Sequence, residues 1–128
     1  MTQNIPVPYD AEFQSPIPSI WRDCIIQIVE AFKDKDFERL NTLPYVQCID
    51  LAYADKIEKN IDDYGAHLMS LAEESWHTSV CLYMENESWQ AIIDLFTVEE
   101  GRSDLILDLF IVKKEDQFIF QINNIYVP

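Results

Sequence analysis

The sequence predicts an α+β fold, in which N-terminal helices cover one face of an antiparallel sheet. Apolar residues recur at helical spacing in the first part of the chain, and the period changes to alternation from His77 on. The alternating segments are joined by short connections, which are typical of an antiparallel meander. A chain of 128 residues with 48% hydrophobic residues can bury a core. We therefore expect a single domain over residues 19–128, preceded by an extended proline-rich arm over residues 1–18.

Two long helices are expected before the sheet. The first spans 20–33 and has Ser19 at its N-cap position. A short helical turn is expected over 35–41. The second long helix spans about 51–74 and includes Gly65, where we expect a kink or a close contact with the sheet. The apolar positions that define the two long helices are Trp21, Cys24, Ile25, Ile28, Val29, Phe32, Ile57, Ile61, Tyr64, Leu68 and Leu71.

Four strands are expected in the second part of the chain, and their turns predict how they pair. The strands lie at about 78–84, 89–98, 104–112 and 117–127. The expected opposing pairs are Met84 with Trp89, Val98 with Asp104, and Val112 with Gln117. In these registers one face is almost entirely apolar and packs on the helices. The other face is mixed and holds Ser79, Cys81, Tyr83, Gln90, Ile92, Asp94, Phe96, Ile106, Asp108, Phe110, Ile119, Gln121 and Asn123.

Two aspartates are expected to face each other on the mixed face. Asp94 and Asp108 would be directly opposed, with Ser79 and Gln121 completing a polar row across the sheet. Opposed residues have Cβ atoms roughly 5 Å apart, and two carboxylates at that distance repel by about 3 kcal/mol at an effective dielectric near 20. Arg102, a metal, a shared proton or a basic partner would offset this repulsion. Alternatively, an open face exposed to water would weaken it.

The loop EEGRSD, Glu99 to Asp104, is a strong turn signal beside the polar row. Its arginine could pair with Asp94 or Asp104, or reach the carboxylate or phosphate of a partner. Aromatic residues on the same face would supply apolar anchors. The predicted partner-binding residues are Asp94, Asp108, Glu99, Glu100, Arg102, Asp104, Tyr83, Phe96 and Phe110.

The charge balance separates classes of partner. The chain has 23 acidic and 9 basic side chains, a net charge of −14. Such a field repels nucleic acid and anionic membranes and attracts basic proteins, although solubility alone would also explain it. Cys24, Cys48 and Cys81 are widely spaced and form no C-x-x-C pattern, which favours reduced thiols in a cytoplasmic protein. No signal peptide is predicted at the N-terminus.

No catalytic signature accompanies these carboxylates. The Asp94–Asp108 pair could act as an acid–base pair, but His67 and His77 are the only histidines, and neither falls in a known catalytic motif. Two carboxylates without a histidine or thiolate cluster are too few ligands for most hard cations. We therefore predict no enzyme activity, no metal and no organic cofactor.

Three sequence blocks resemble an uncharacterised family of small bacterial proteins. They are YGAHLMSLAEESWHTSV, ESWQAIIDLFTVEEGRSDL and the ending INNIYVP, and the resemblance covers roughly residues 19–128. The segment IWRDCIIQIVEAFKDKDFERL is also similar to the first helices of the NTF2-like, or cystatin-like, superfamily. That second resemblance implies a helical layer on a curved antiparallel sheet, and it carries over no catalytic residue.

Small acidic single-domain proteins of this type resemble the immunity proteins of toxin systems, including contact-dependent growth inhibition. The resemblance implies binding to a basic, nuclease-like toxin domain, onto which an acidic inhibitor would be steered electrostatically. Two alternatives remain open at this stage. One is a non-catalytic cytosolic adaptor for another basic protein, and the other is an NTF2-like domain that binds a small ligand or acts as an enzyme.

Overall fold

A computed structural model describes residues 4–128 and has helices on one face of an antiparallel sheet. The strands are β1 (Ser15–Pro16), β2 (Val80–Tyr83), β3 (Ser88–Thr97), β4 (Gly101–Lys114) and β5 (Gln117–Tyr126), and their order across the sheet follows the chain. The helices are α1 (Arg22–Lys33), α2 (Phe37–Leu40), α3 (Leu51–Tyr64) and α4 (Ser75–Thr78), with a 3-10 turn at Ser19–Trp21. The α+β prediction is confirmed.

The predicted number of strands is wrong. The described part of the sheet has five strands rather than four, because the proline-rich arm contributes β1. Ser15 pairs with Cys81, and Pro16 pairs with Val80, in antiparallel orientation. The arm is fixed further by Pro8, whose carbonyl accepts a 2.7 Å hydrogen bond from the indole Nε1–H of Trp89.

The second long helix is shorter than its apolar spacing predicts. It ends at Tyr64 because Gly65 adopts a left-handed φ of 85° and closes the last turn through a hydrogen bond to the Asp62 carbonyl. The chain beyond it is extended and pairs with β3. There the Met69 amide donates to the Phe96 carbonyl at 2.9 Å. Local periodicity cannot reveal this competing pairing, so the predicted helix continued too far.

The start of α1 also differs from prediction. Ser19 is not the N-cap of α1, because it begins the 3-10 turn that precedes the helix, and its hydroxyl accepts a 2.8 Å hydrogen bond from the Ile5 amide. That contact ties the arm to the 3-10 turn that precedes α1. The N-cap residue of α1 is Trp21, and it makes no side-chain capping bond. The helix is therefore stabilised mainly by the apolar face that it buries.

The core lies between the helices and the inner face of the sheet. Trp21 stands at its centre, where its ring packs edge-to-face against Trp89 and Phe118 at centroid distances of 5.6 and 5.5 Å. Burial of these side chains is the main stabilising contribution to the fold. Fully buried members of this inner layer include Ile25, Ile28, Leu40, Ile57, Ile93, Leu95, Leu105, Leu107 and Leu109.

The β2–β3 register differs by one residue from prediction. Trp89 pairs with Tyr83 rather than with Met84, because Glu85, Asn86 and Glu87 adopt φ values of 67°, 55° and 55° and widen the loop. A one-residue slip exchanges the two faces of a strand. The two expected open-face residues Cys81 and Tyr83 therefore lie on the inner face, and Val80 and Leu82 replace them.

The β3–β4 register differs from prediction by four residues beside the loop and by two at Asp94, and the β4–β5 register differs by two from the turn to Leu109. These even shifts preserve the faces, although a bulge between Asp108 and Leu109 shifts the β4–β5 register by one more residue. Val98 does not pair with Asp104, since Thr97 pairs with Gly101 across a shorter loop. Likewise, Gln117 pairs with Lys114 rather than with Val112. Asp94 and Asp108 thus share a face as expected, but they are not directly opposed: Asp94 pairs with Ile106, and Asp108 lies opposite Ile92.

Candidate functional site

The candidate site is the outer side of the sheet, which we call the open face. It lies opposite the helices, and its apolar side chains are absent from the described core cluster. Most of them are half-buried, as expected for neighbours on an uncovered sheet. The open face consists of Val80, Leu82, Gln90, Ile92, Asp94, Phe96, Ile106, Asp108, Phe110, Val112, Ile119, Gln121, Asn123 and Tyr126.

The predicted polar row is not continuous. Ser79 lies at the end of α4 and is buried there, where its hydroxyl accepts a 2.9 Å hydrogen bond from the backbone amide of Asp94. Ser75 donates to the backbone carbonyl of the same aspartate at 2.6 Å. The two serines therefore hold the α4 segment against β3 and do not extend the polar surface.

Asp94 is compensated within the chain. Its carboxylate accepts a hydrogen bond from the Thr78 hydroxyl and lies 3.7 Å from Arg102 Nη2. Only 15% of its side chain is exposed, whereas that of Arg102 is 58% exposed. The pairing of Arg102 with Asp94 is one of the two structural roles that the sequence suggested. It offsets the charge of this aspartate without a metal or a partner.

Asp108 has a different environment. Its Oδ1 accepts hydrogen bonds from the side-chain amides of Gln90 at 3.1 Å and Asn123 at 3.5 Å. Over residues 4–128, it forms no ion pair. Ile92 lies opposite it on β3, and Phe110 follows it on the same face. Asp108 is therefore a half-buried carboxylate whose near neighbours are amides and apolar groups.

A bulge separates the two aspartates from the acidic loop. β4 advances from Arg102 to Ile106 while β3 advances only from Phe96 to Asp94, so β4 has two extra residues. Ser103 fills this bulge: its hydroxyl donates to the Leu95 carbonyl at 2.8 Å and accepts from the Leu105 amide at 3.1 Å. The extra length brings Arg102 near Asp94 across the strand.

The acidic residues of the loop lie against the last residue of α3, Tyr64, and against His67 in the segment that follows the helix. Glu99 Oε1 accepts a 2.8 Å hydrogen bond from the backbone amide of His67, and Glu99 Oε2 lies 2.6 Å from the Nδ1 atom of the same histidine. These contacts lower the pKa of Glu99. The carboxylate of Glu100, close to the Tyr64 hydroxyl, raises the pKa of Tyr64. The backbone amide of Asp104 also donates to Tyr64, at 3.2 Å. The loop from Glu99 to Asp104, which we call the rim of the open face, is therefore held in place.

The predicted site residues fall into three environments. Phe96 and Phe110 lie with Asp94 and Asp108 on the open face, although Phe96 is largely buried. The four loop residues occupy the rim. Tyr83 lies on the inner face, where it packs on Tyr9 and Trp89 at 5.3 and 5.4 Å, so its assignment to the open face is wrong.

Val80 and Leu82 were missed, and no sequence signal would have found them. Both alternating sets of β2, Val80 with Leu82 and Cys81 with Tyr83, are apolar, so alternation alone cannot choose the buried face. The loop backbone makes that choice through three left-handed residues in a stretch without glycine. Gln90 and Asn123 were placed on this face, but their contact with Asp108 depends on the strand register.

The thiols and histidines do not assemble a reaction centre with these carboxylates. Burial raises the pKa of Cys24 to about 11 and that of Cys81 to about 12, so both are neutral thiols near pH 7. His67 pairs with Glu99 on the rim. Within the described range 4–128, no three His, Cys, Asp or Glu side chains are grouped as metal ligands. None of the helices there has the length and apolar character needed to cross a membrane.

Comparison with known proteins assigns the chain to a family. The model of a domain of unknown function, DUF7668, matches residues 29–128. This range includes the strands β2 to β5 and excludes the proline-rich arm with β1. No curated protein and no solved structure matches the chain. The expected resemblance to an uncharacterised family is therefore confirmed, and the protein belongs to the DUF7668 family.

Proposed function

We propose that this protein binds a basic protein through its open face and thereby neutralises it, with a bacterial toxin as the target. The observation that carries this proposal is Asp108, a half-buried carboxylate without an ion pair among the described residues, on an apolar surface. Desolvating that carboxylate beneath a partner would be unfavourable unless the partner supplied a cation. The net charge of −14 favours a basic partner in the same way.

The composition of the open face suits a protein partner. Ile92, Phe110 and Ile119 provide apolar area that a partner can bury, and aromatic residues are frequent anchors in interfaces. Three long strands spaced about 4.8 Å apart give a surface of roughly 500 Å². A standard interface buries about 800 Å² on each partner. The partner would therefore also contact the rim, where Glu99 and Glu100 are exposed.

The alternatives are less well supported. A small-ligand or enzyme site of the NTF2-like kind would call for a polar cavity beneath the sheet. The buried polar side chains in the described residues are Ser75, Ser79, Thr97 and Ser103, and these include no carboxylate. A cytosolic adaptor would use the same open face on another basic protein. It differs from an immunity protein only in what its partner does, so cell survival separates the two.

The test is co-expression with the product of the neighbouring gene. That product should be toxic alone, and the wild-type protein should restore growth. Asp108→Lys should abolish the rescue because it places a cation where the partner's cation binds. Asp55→Lys is the matched control, since it makes the same charge change at an exposed position on α3 and should still rescue. A neighbour that is harmless, or that kills equally with and without this protein, would refute neutralisation.

A further inference from the structure

We infer that Asp108 and the amides around it form a docking point for an arginine side chain of the partner. The inference rests on the proposed function, because it assumes that a basic protein covers the open face. It specifies the type of cation that the protein recognises and the residue at which that cation binds. It is based on which groups donate and which accept in a short hydrogen-bond network on the surface of β3, β4 and β5.

The amide N–H donors of this network bond to other members of the network. Gln90 and Asn123 both donate side-chain N–H groups to Asp108 Oδ1. Gln121 donates to the Asn123 side-chain oxygen at 3.3 Å. Each of these amide groups thus uses a donor inside the network. Asp108 Oδ2 and the side-chain oxygens of Gln90 and Gln121 accept no hydrogen bond from any residue in the range 4–128.

The remaining free groups are therefore acceptors around one negative charge. A guanidinium has five N–H donors in a planar fork and no acceptor, so it can bond to several oxygens at once. The Lys ammonium is a compact and strongly hydrated charge. Ile92 and Phe110 border Asp108 on the same face, and an apolar and aromatic border favours the more weakly hydrated, stackable guanidinium. These properties select arginine over lysine.

Asp94 offers no equivalent docking point. Arg102 of the same chain lies 3.7 Å from its carboxylate, and Thr78 donates to it. An arginine from a partner would have to displace a cation that is already tethered nearby. The two aspartates consequently provide a matched pair for an experiment: they lie on one face of adjacent strands, and within residues 4–128 Asp94 has a cation nearby whereas Asp108 has none.

The experiment is an NMR titration of the isotope-labelled protein with blocked arginine, N-acetylarginine methylamide, in parallel with the blocked lysine equivalent. Blocked arginine should shift the side-chain amide signals of Gln90 and Asn123 and should bind more tightly than blocked lysine. Asp108→Asn should weaken arginine binding by about tenfold or more, the range expected for a lost charge-assisted hydrogen bond. Asp94→Asn should leave it unchanged.

Any of three results would overturn the arginine assignment. They are equal binding of both probes, equal weakening by the two Asn variants, and signal shifts confined to Glu99 and Glu100. These outcomes are distinct from failure of the proposed function. If neutralisation through the open face stands while the arginine probe fails, only the docking point is lost. If the probe binds at Asp108 but no basic protein is neutralised, the docking point stands and the proposed function is lost.

Discussion

The two faces of the sheet have similar apolar strands but different surroundings. On β3, Ile93 is fully buried against the helices, whereas its neighbour Ile92 is half-buried on the open face. Among the described residues the buried inner layer contains no aspartate, and Asp94 and Asp108 lie on the open face. Apolar content alone therefore does not identify the core of this protein. The informative residues are the carboxylates, because a charge avoids the inner layer and marks the side that remains open to water.

The two open-face aspartates differ from each other as well. Asp94 has a cation from its own chain, whereas the polar partners of Asp108 in the described part of the chain are side-chain amides. The fold itself explains Asp94, because Arg102 offsets its charge. Asp108 is the reason why we regard the open face as a binding surface. Substitutions on the two faces and at the loop should change the free energy of unfolding by different amounts, and they are taken in order of decreasing effect.

The largest effect should come from truncating one isoleucine of β3 on each face. Ile93→Ala should lower the free energy of unfolding by about 2–5 kcal/mol, because it removes a fully buried side chain and leaves a cavity. Ile92→Ala makes the same chemical change on the open face and should cost about 1 kcal/mol or less. Urea denaturation of the two variants measures this difference. Equal losses would mean that the open face is a second core.

The next effect concerns the bulge that aligns the faces. Ser103→Ala should lower the free energy of unfolding by about 1–3 kcal/mol, because the Leu95 carbonyl and Leu105 amide lose their shared hydroxyl partner in a buried site. Ser70→Ala is an exposed control and should stay within about 0.5 kcal/mol of wild type. The same denaturation assay serves for both. A neutral Ser103→Ala would show that the bulge does not depend on this hydroxyl.

The smallest effect should be a change in acid stability at the rim. Contacts with His67 lower the pKa of Glu99 in the folded state below its ordinary value of 4.5. A lowered folded-state pKa contributes stability above the unfolded value, and this contribution is lost as pH falls through the folded value. Glu99→Gln should therefore reduce the loss of stability on acidification below pH 4.5.

The control for this pH prediction is Glu115→Gln, which makes the same change in the exposed β4–β5 turn. Denaturant midpoints of the three proteins should be compared from neutral pH down through the acid range. The Glu115 variant should follow the wild-type profile. If the Glu99 variant also follows it, the contacts with His67 do not contribute to stability.

The sequence predicted the layers better than the strand pairing. Helical spacing and alternation are set by burial, so α1, the start of α3 and the strands β2 to β5 lie close to their predicted positions. Register depends on loop backbone. Glu115 and Asp116 adopt left-handed φ values of 51° and 65° without any glycine to signal the turn. The position of β1 also depends on a contact distant in sequence, between the arm and Cys81.

The candidate site was only partly predictable for the same reason. Two-residue errors kept Asp94 and Asp108 on one face, so the surface was identified correctly. Which partner each aspartate has depends on the bulges beside them. The pairing of Arg102 with Asp94 and of Gln90 with Asp108 follows from that geometry. Sequence spacing could suggest such contacts but could not assign them.

The central claim, that the open face is the binding surface, is tested most directly by the affinity of the purified protein for its proposed basic partner, the product of the neighbouring gene. Phe110→Lys places a charge in the middle of the open face, and Leu51→Lys makes the same kind of change at an exposed apolar site on α3. We predict that Phe110→Lys weakens binding by about 100-fold, as expected for an anchor residue, while Leu51→Lys leaves the affinity unchanged. Unchanged affinity of the Phe110 variant, with the fold intact, would contradict the claim.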